Sequence, residues 1–229
     1  MTIEKTLVVG VLALQGAFIE HINHFKQCQV ESYAFSFVEV RTEEELNKCH
    51  ALVIPGGEST AISLISQRTG LLKPLMDFVK SNKPIWGTCA GLIFLSKQII
   101  NGKPGQQILG GMDIQVERNA FGRQLDSFQQ NLDFSSFIPE LTDFPTVFIR
   151  APVISKILND EQQSDDADVI YSKNDYVNDR PVEVLHKLDN GFIVAVRQGN
   201  KLGTSFHPEL SENHKFHQWF LQDFVVNSI

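Results

Sequence analysis

The sequence predicts an α/β protein with a mostly parallel central sheet, helices on both faces and an antiparallel extension. Short β-rich runs alternate with helical stretches in the first half of the chain. The first of these runs, residues 7–14, has almost no polar alternation, which is typical of a strand buried on both faces of a parallel sheet. Strand–turn–helix units in series form right-handed crossovers between parallel strands.

The first half is predicted to alternate between strands and helical stretches. We expect strands over residues 7–14, 35–40, 51–54 and 85–87, and helices over residues 18–27, 43–49, 59–66, 71–80 and 92–100. Phe18, Ile22 and Phe25 illustrate the basis for the helices, because this spacing puts them on one side of a helix of period 3.6.

The second half contains β-rich runs with few long helices between them, which indicates an antiparallel extension of the sheet. We expect strands over residues 114–118, 146–149, 182–186, 192–198 and 201–206 and a final amphipathic helix over residues 212–226. Residues 159–168 carry five acids and no base, which predicts a solvated loop. No linker interrupts the pattern, and we expect a single domain over residues 1–229.

Composition excludes several classes of protein. The 229 residues are 42% apolar, with a net charge of −7 and no basic run, so a nucleic acid or an anionic membrane is not an expected partner. The three cysteines match neither a disulfide framework nor a metal motif. No apolar run is long enough to span a bilayer. These features predict a soluble cytoplasmic protein.

The strongest chemical motif is Gly87-Thr88-Cys89-Ala90-Gly91, between a predicted strand and a predicted helix. A side chain at the tip of such a sharp turn has strained backbone geometry, so the flanking positions must be small. The turn also places the Cys89 sulfur at a helix N-terminus, where the thiolate is favoured. Cys89 is therefore a candidate nucleophile, against the alternative that it is a small buried core residue.

A thiolate nucleophile needs a base, and the base needs an orienting partner. His207-Pro208-Glu209 follows the predicted strand over residues 201–206. Because Pro208 stiffens the link, Glu209 could hold one imidazole nitrogen of His207 while the other faces Cys89.

The other histidines include two pairs at i, i+3 spacing, His21/His24 and His214/His217. Without a third ligand we interpret these as solvated helix faces rather than as a metal site.

A glycine loop, Pro55-Gly56-Gly57-Glu58-Ser59-Thr60, follows another predicted strand. Consecutive glycines let backbone N–H groups approach a ligand, as an oxyanion hole requires. The alternative is a tight turn followed by a helix capped by Ser59. The loop is not a Walker P-loop, because the spacing differs and the lysine is absent.

Three motifs follow one another along the chain: the glycine loop at residues 55–60, the turn at residues 87–91, here called the cysteine elbow, and His-Pro-Glu at residues 207–209. In this order they resemble the motifs of the class I glutamine amidotransferases. Further stretches narrow the resemblance to the glutaminase subunits of pyridoxal 5′-phosphate synthases, and they lie at residues 10–17, 92–93, 117–124, 148–152 and 210. The resemblance covers nearly the whole chain and implies a flavodoxin-like three-layer sandwich. Residues 28–42 and 157–181 are longer than in compact members, so contacts there are not carried over.

The resemblance implies a Cys89–His207–Glu209 triad that hydrolyses L-glutamine to glutamate and ammonia through a glutamyl thioester. It also implies that Gly57, Glu58, Ser59, Arg118, Ile149 and Arg150 contact glutamine. Arg118 and Arg150 are candidate bidentate ligands of the α-carboxylate. The alternative is that each forms an ordinary surface or structural ion pair. Backbone N–H groups of Gly57 and Ala90 would form the oxyanion hole. No cofactor or metal is implied.

The resemblance further implies a partner, a separate synthase subunit that is a (β/α)₈ barrel and receives the ammonia within a hetero-oligomer. Docking would activate the glutaminase, with Gln15 and the Gly56–Gly57 peptide as parts of the switch. Two other hypotheses stay open from the residues. One is a cysteine peptidase or deglycase on the same elbow, and the other is a non-catalytic paralogue that docks the synthase for regulation.

Overall fold

The computed structural model of the protein describes residues 6–121, 127–158 and 168–228. Two predictions from the sequence fall partly outside the described residues. They are the end of the stretch 117–124 that carries the family resemblance, at residues 122–124, and the predicted acidic loop, at residues 159–167.

Strands and helices alternate in the first half, as predicted. The elements are β1 (Thr6–Leu12), α1 (Phe18–Phe25), β2 (Ala34–Val40), α2 (Glu43–Asn47), β3 (Ala51–Ile54), α3 (Ser59–Arg68), α4 (Leu72–Lys80), β4 (Ile85–Thr88), α5 (Ala90–Leu95) and β5 (Ser96–Ile100). A capping box fixes the start of α2, where the Thr42 hydroxyl accepts from the Glu45 N–H and the Glu45 carboxylate accepts from the Thr42 N–H.

Strands dominate the second half. They are β6 (Met112–Glu117), β7 (Ser127–Leu132), β8 (Phe144–Ile149), β9 (Val153–Ile157), β10 (Val169–Tyr171), β11 (Val182–Lys187), β12 (Ile193–Gln198) and β13 (Lys201–Thr204), followed by a 3₁₀ turn (Pro208–Leu210), α6 (Lys215–Trp219), a π-helical continuation (Phe220–Val225) and a 3₁₀ turn (Val226–Ser228).

The central sheet has the order β10-β5-β6-β9-β12-β13-β4-β3-β1-β2, with β11 paired to β12. The five strands from β13 to β2 are parallel, and β12, β9 and β10 join antiparallel to their neighbours. The strands β7 and β8 form a separate hairpin. The predicted fold class is therefore confirmed.

Hydrophobic side chains form a core on each face of this sheet. One core contains Leu7 and Val9 of β1 with residues of α1, α6 and the β7–β8 hairpin. The other contains Leu12 of β1 with residues of α2 to α5. Successive side chains of a strand point to opposite faces, so β1 supplies both cores. The result is three layers, with helices on both sides of the sheet.

The predicted helix over residues 92–100 is wrong in its second half. Helix α5 ends at Leu95, and Ser96 adopts extended backbone, with φ −69° and ψ 161°. Residues 96–100 become β5, which pairs with β6 on one side and β10 on the other. Two flanking strands satisfy the backbone groups of residues 96–100, so tertiary pairing decides the structure of this segment.

The final helix begins later than predicted, at Lys215 rather than at residue 212. The side-chain oxygen of Asn213 accepts a hydrogen bond from the Lys215 N–H, and the Ser211 hydroxyl accepts one from the Asn213 N–H. These side chains offer the backbone a turn in place of a helix. The strands β7, β9 and β10 were not predicted, because they are short or largely polar.

Among the described residues, no helix has both the length and the apolar character that crossing a membrane requires.

The aromatic centre of the first core gives a stability prediction. Phe216 is fully buried, and its ring centroid lies 5.4–5.5 Å from those of Trp86, Phe134 and Phe206. We expect Phe216→Ala to lower the free energy of unfolding by about 3–5 kcal/mol, because it leaves a cavity that rigid rings cannot fill. Urea denaturation followed by circular dichroism measures this loss.

The control for that experiment is Val177→Ala, at a side chain that is 68% exposed. It should change the free energy of unfolding by less than about 0.5 kcal/mol. An equal loss in both variants would contradict the central position of Phe216.

Candidate active site

Cys89 stands at the tip of the turn between β4 and α5. Its backbone has φ 47° and ψ −103°, a conformation that L-residues rarely adopt. The Cys89 N–H donates to the Thr204 carbonyl at 2.8 Å, and the Ile93 N–H donates to the Cys89 carbonyl at 3.2 Å. These bonds hold the strained residue between β13 and the first turn of α5, with the side chain at the helix N-terminus.

The flanking glycines are required by close backbone contacts. A Cβ atom on Gly91 would lie 1.9 Å from the Ile54 carbonyl oxygen, and one on Gly87 would lie 2.5 Å from the Gly91 carbonyl oxygen. Such distances are impossible for real side chains. The structure therefore bears out the steric interpretation of the Gly-x-Cys-x-Gly spacing.

His207 and Glu209 form a buried pair next to Cys89. The Nδ1 atom of His207 lies 2.7 Å from Oε1 of Glu209. Cys89 and His207 line the same cleft, and the interaction with Cys89 raises the pKa of the imidazole. Because Nδ1 faces Glu209, Nε2 is the nitrogen that is left for the sulfur. The three residues therefore have the order of a nucleophile, a base and an orienting carboxylate.

The electrostatics of this pair favour its charged form. Burial by itself would lower the pKa of His207, but the hydrogen bonds with Cys89 and Glu209 outweigh burial and raise the pKa to about 10. Burial would likewise raise the pKa of Glu209, yet the interactions with His21 and His207 lower it. Glu209 is thus held as a carboxylate that supports an imidazolium.

The glycine loop packs directly on the triad. A Cβ on Gly56 would lie 2.3 Å from Cε1 of His207 and 3.4 Å from Cβ of Cys89. The Gly56 carbonyl accepts from the Ala17 N–H at 3.0 Å, and the Glu58 N–H donates to the Gln15 side-chain oxygen at 2.7 Å. The loop is therefore tied to the segment that follows β1. Glu58, not Ser59, caps α3, since its carboxylate accepts from the Thr60 and Ala61 N–H groups.

A cleft of about 400 Å³ opens above Cys89 and His207, a size that suits a small molecule. It brings together every predicted site residue except Glu209, which lies behind His207. The lining residues are Gln15, Gly57, Glu58, Ser59, Cys89, Ala90, Ile93, Arg118, Asn119, Ile149, Arg150 and His207. The Ile149 carbonyl lies 4.0 Å from the Cys89 sulfur, and Arg150 is exposed with φ 41°.

Arg118 is held in place by a polar network. Its guanidinium donates to Oε1 of Glu58 and to Oε1 of Gln106, each at 3.3 Å. Gln106 is buried and also donates to the Ser59 hydroxyl at 3.2 Å. Gln106 therefore links two of the predicted glutamine contacts. Sequence reasoning missed it, because a single glutamine in an irregular loop carries no periodic or motif signal.

The interpretation of the histidine pairs as solvated faces is wrong. His21 and His217 are fully buried, and His24 and His214 are partly buried. The Nδ1 atom of His21 lies 2.9 Å from Nε2 of His217. The helices α1 and α6 pack together through these side chains, and the pairs therefore face each other. No metal-binding group of three or more candidate ligands occurs among the described residues.

Comparisons with known proteins give matches over nearly the whole chain. The model of the SNO glutamine amidotransferase family matches residues 11–177 and 166–226. A Saccharomyces cerevisiae protein named pyridoxal 5′-phosphate synthase subunit SNO1 is 49% identical over 228 residues, which are 96% of this chain and 94% of that one.

Two further matches have similar coverage. A Dehalococcoides mccartyi protein named pyridoxal 5′-phosphate synthase subunit PdxT is 46% identical over 93% of this chain and 95% of its own length. A crystal structure described as a glutamine amidotransferase is 40% identical, with a TM-score of 0.72 over 93% of this chain and 97% of that chain.

The raised pKa of His207 predicts how stability depends on pH. The unfolded imidazole releases its proton near pH 6.5, whereas folded His207 keeps it up to about pH 10. The resulting stabilisation is complete below pH 6.5 and is lost as the pH rises through that window. We expect a shallower loss in Glu209→Gln, which lacks the carboxylate. Urea denaturation at a series of pH values from 6.5 to 10 measures both slopes.

Glu183→Gln, on the exposed part of β11, serves as the control and should keep the wild-type slope. Identical slopes in Glu209→Gln and wild type would show that Glu209 does not support the imidazolium.

Proposed function

Since this chain belongs to the SNO glutamine amidotransferase family, we propose that it is a glutaminase that hydrolyses the side-chain amide of L-glutamine. One observation carries the proposed role of the triad. His207 directs Nδ1 to Glu209 at 2.7 Å, which leaves its other nitrogen for Cys89 at the floor of the cleft. Nucleophilic acyl transfer uses these three groups in this order: a thiol as the nucleophile, a base, and a carboxylate that orients the base.

The reaction has two halves. The Cys89 sulfur attacks the amide carbon, and its proton passes through His207 to the nitrogen, which leaves as ammonia. The remaining glutamyl thioester is attacked by water, which His207 deprotonates. Collapse of that intermediate releases glutamate and returns the proton to the sulfur.

Glutamine is held by complementary charge and hydrogen bonding. Arg118 is the proposed ligand of the α-carboxylate, because its guanidinium is largely enclosed and anchored by Gln106. Glu58, whose carboxylate is half-exposed in the cleft, is the proposed ligand of the α-ammonium. Ser59, Ile149 and Arg150 complete the proposed contacts along the cleft wall.

The proposed oxyanion hole consists of the N–H groups of Gly57 and Ala90. Ala90 is the first residue of α5, where backbone N–H groups have no partner within the helix. Gly57 belongs to the loop whose Gly56 carbonyl is bonded to Ala17. We propose that docking of a partner rearranges the Gly56–Gly57 peptide and the Gln15 contact, so that the hole is completed only in the complex.

The partner that we propose is a separate synthase subunit, a (β/α)₈ barrel that uses the ammonia to make pyridoxal 5′-phosphate. The yeast and bacterial relatives are named as subunits of pyridoxal 5′-phosphate synthase, and the match covers 94–95% of their length. Both names describe a subunit, which supports a second chain that receives the ammonia.

Replacing the nucleophile tests the proposed reaction. We expect Cys89→Ala to abolish glutamate release from glutamine, because no thioester can form. Wild type should release glutamate, and adding the cognate synthase subunit should increase the rate. Glutamate is measured enzymatically, with Cys28→Ala as a matched control for loss of a thiol outside the cleft. Binding of the synthase without any glutamate release would favour a regulatory protein instead.

Replacing the arginines tests the substrate contacts. We expect Arg118→Gln to raise KM for glutamine by about tenfold to a hundredfold with a smaller effect on kcat, because it removes a charge-assisted contact made in both ground and transition states. Arg150→Gln should have a smaller effect, and Arg180→Gln, which lines a separate cleft that shares no residue with this one, should have none. An unchanged KM in Arg118→Gln would reject the assignment.

A further inference from the structure

A cluster of buried titratable side chains lies outside the cleft, directly behind Glu209. Glu209 is 3% exposed, and its Oε1 bonds His207. Its other oxygen, Oε2, is buried and accepts no hydrogen bond from the described residues. The Nε2 atom of His21 lies 3.3 Å from this oxygen and also 3.3 Å from the Thr88 hydroxyl. An unpartnered buried carboxylate oxygen is costly, so the nitrogen beside it has a specific role.

The neighbours of His21 fix which of its nitrogens carries the proton. Burial lowers the pKa of His21 to about 4 despite the nearby Glu209, so the ring is neutral and has one N–H. A lone pair on Nε2 would repel the carboxylate of Glu209. We therefore assign the proton to Nε2, which lies beside both the Thr88 hydroxyl and Oε2 of Glu209, and this leaves Nδ1 as an acceptor.

His217 completes the arrangement. Its Nε2 lies 2.9 Å from Nδ1 of His21, so Nε2 carries the proton that His21 accepts. Burial also lowers the pKa of His217 well below its usual value, which keeps this ring neutral. Its remaining nitrogen, Nδ1, is then an acceptor, and this atom has no hydrogen-bond partner among the described residues. The two rings thus form a directed chain, from His217 through His21 to Glu209.

We propose that His21 is a positioning residue of the triad, oriented by His217, which holds Oε2 of Glu209 so that Oε1 stays aligned with Nδ1 of His207. The proposal rests on the proposed glutaminase function for its kinetic effects. His21 does not line the cleft and so does not touch glutamine. The charged or titratable groups that face it are Glu209, His207, His24, His217 and Glu20.

The test compares two substitutions of His21 in the full chain with its synthase subunit. His21→Leu fills the space and removes the N–H, whereas His21→Gln keeps an N–H that can reach Glu209. We expect His21→Leu to lower kcat by about tenfold to a hundredfold, the range found for residues that orient the ligands of metal sites. KM for glutamine should change by less than about threefold, because the cleft is intact. His21→Gln should recover at least half of the loss on a logarithmic scale.

A double-mutant cycle separates positioning from a structural role. In a Glu209→Gln background, His21→Leu should lower kcat by less than about twofold, because the group that it positions is already altered. A loss in that background equal to the loss in wild type would overturn the proposal, and so would an unchanged kcat in His21→Leu. Thermal unfolding confirms that each variant is folded, and His21→Gln carries the test if His21→Leu is not.

A second measurement does not depend on glutamine. Iodoacetamide reacts with thiolates, and a neighbouring imidazolium generally makes a thiol more reactive. The alkylation rate of Cys89 therefore reports the charge of His207. We expect His21→Leu to slow alkylation near pH 7 relative to the rate near pH 10. The reason is that a less well placed Glu209 carboxylate stabilises the His207 imidazolium less, so His207 loses its proton at a lower pH. His186→Gln, at a partly buried histidine in contact with Phe134, is the matched control and should leave the ratio unchanged.

The two proposals fail in different ways. If His21→Leu lowers the alkylation ratio relative to wild type but wild type releases no glutamate with its synthase, the proposed function is wrong and the role of His21 stands. If glutamate is released normally and the alkylation ratio is the same in His21→Leu and wild type, the role of His21 is wrong.

Discussion

The parallel pairing of β3, β4 and β13 is the constraint on which the site depends. Leu202 pairs with Trp86 and Thr204 with Thr88, while Ile54 pairs with Gly87. Three adjacent parallel strands therefore end at one edge of the sheet, and each continues into a segment of the site. These segments are the glycine loop, the cysteine elbow and the His-Pro-Glu turn. Their close contacts leave no space for even one added methyl group at Gly91, so the register of the strands sets the geometry of the triad directly.

A second layer supports this edge from behind. The helices α1 and α6 meet through His21 and His217, and the aromatic core centred on Phe216 lies next to them. Burial keeps both imidazoles neutral, whereas the hydrogen bonds of His207 keep that ring charged. Three histidines of one protein thus differ in charge because of their surroundings, not because of their intrinsic chemistry. The carboxylate of Glu209 lies between the two environments and separates them.

Much of this arrangement could be predicted from the sequence. The parallel sheet follows from unbroken apolar strands, and the elbow from glycines on both sides of Cys89, because both patterns have a local steric cause. The residues that were missed depend on distant partners instead. Strand β5 depends on pairing with β6 and β10, the burial of His21 depends on a helix almost two hundred residues away, and Gln106 depends on Arg118 and Ser59. No local pattern encodes such contacts.

The position of the tryptophans has a spectroscopic consequence. The chain has two, Trp86 and Trp219, and both rings pack on Phe216, with centroids 5.4 and 5.5 Å away. Trp86 also donates to the Thr204 hydroxyl and contacts the edge of His21 at 5.5 Å. The tryptophan fluorescence of the protein, excited selectively over its three tyrosines, therefore originates behind the triad. Its emission wavelength and quenching report the hydration of that one region, without any introduced label.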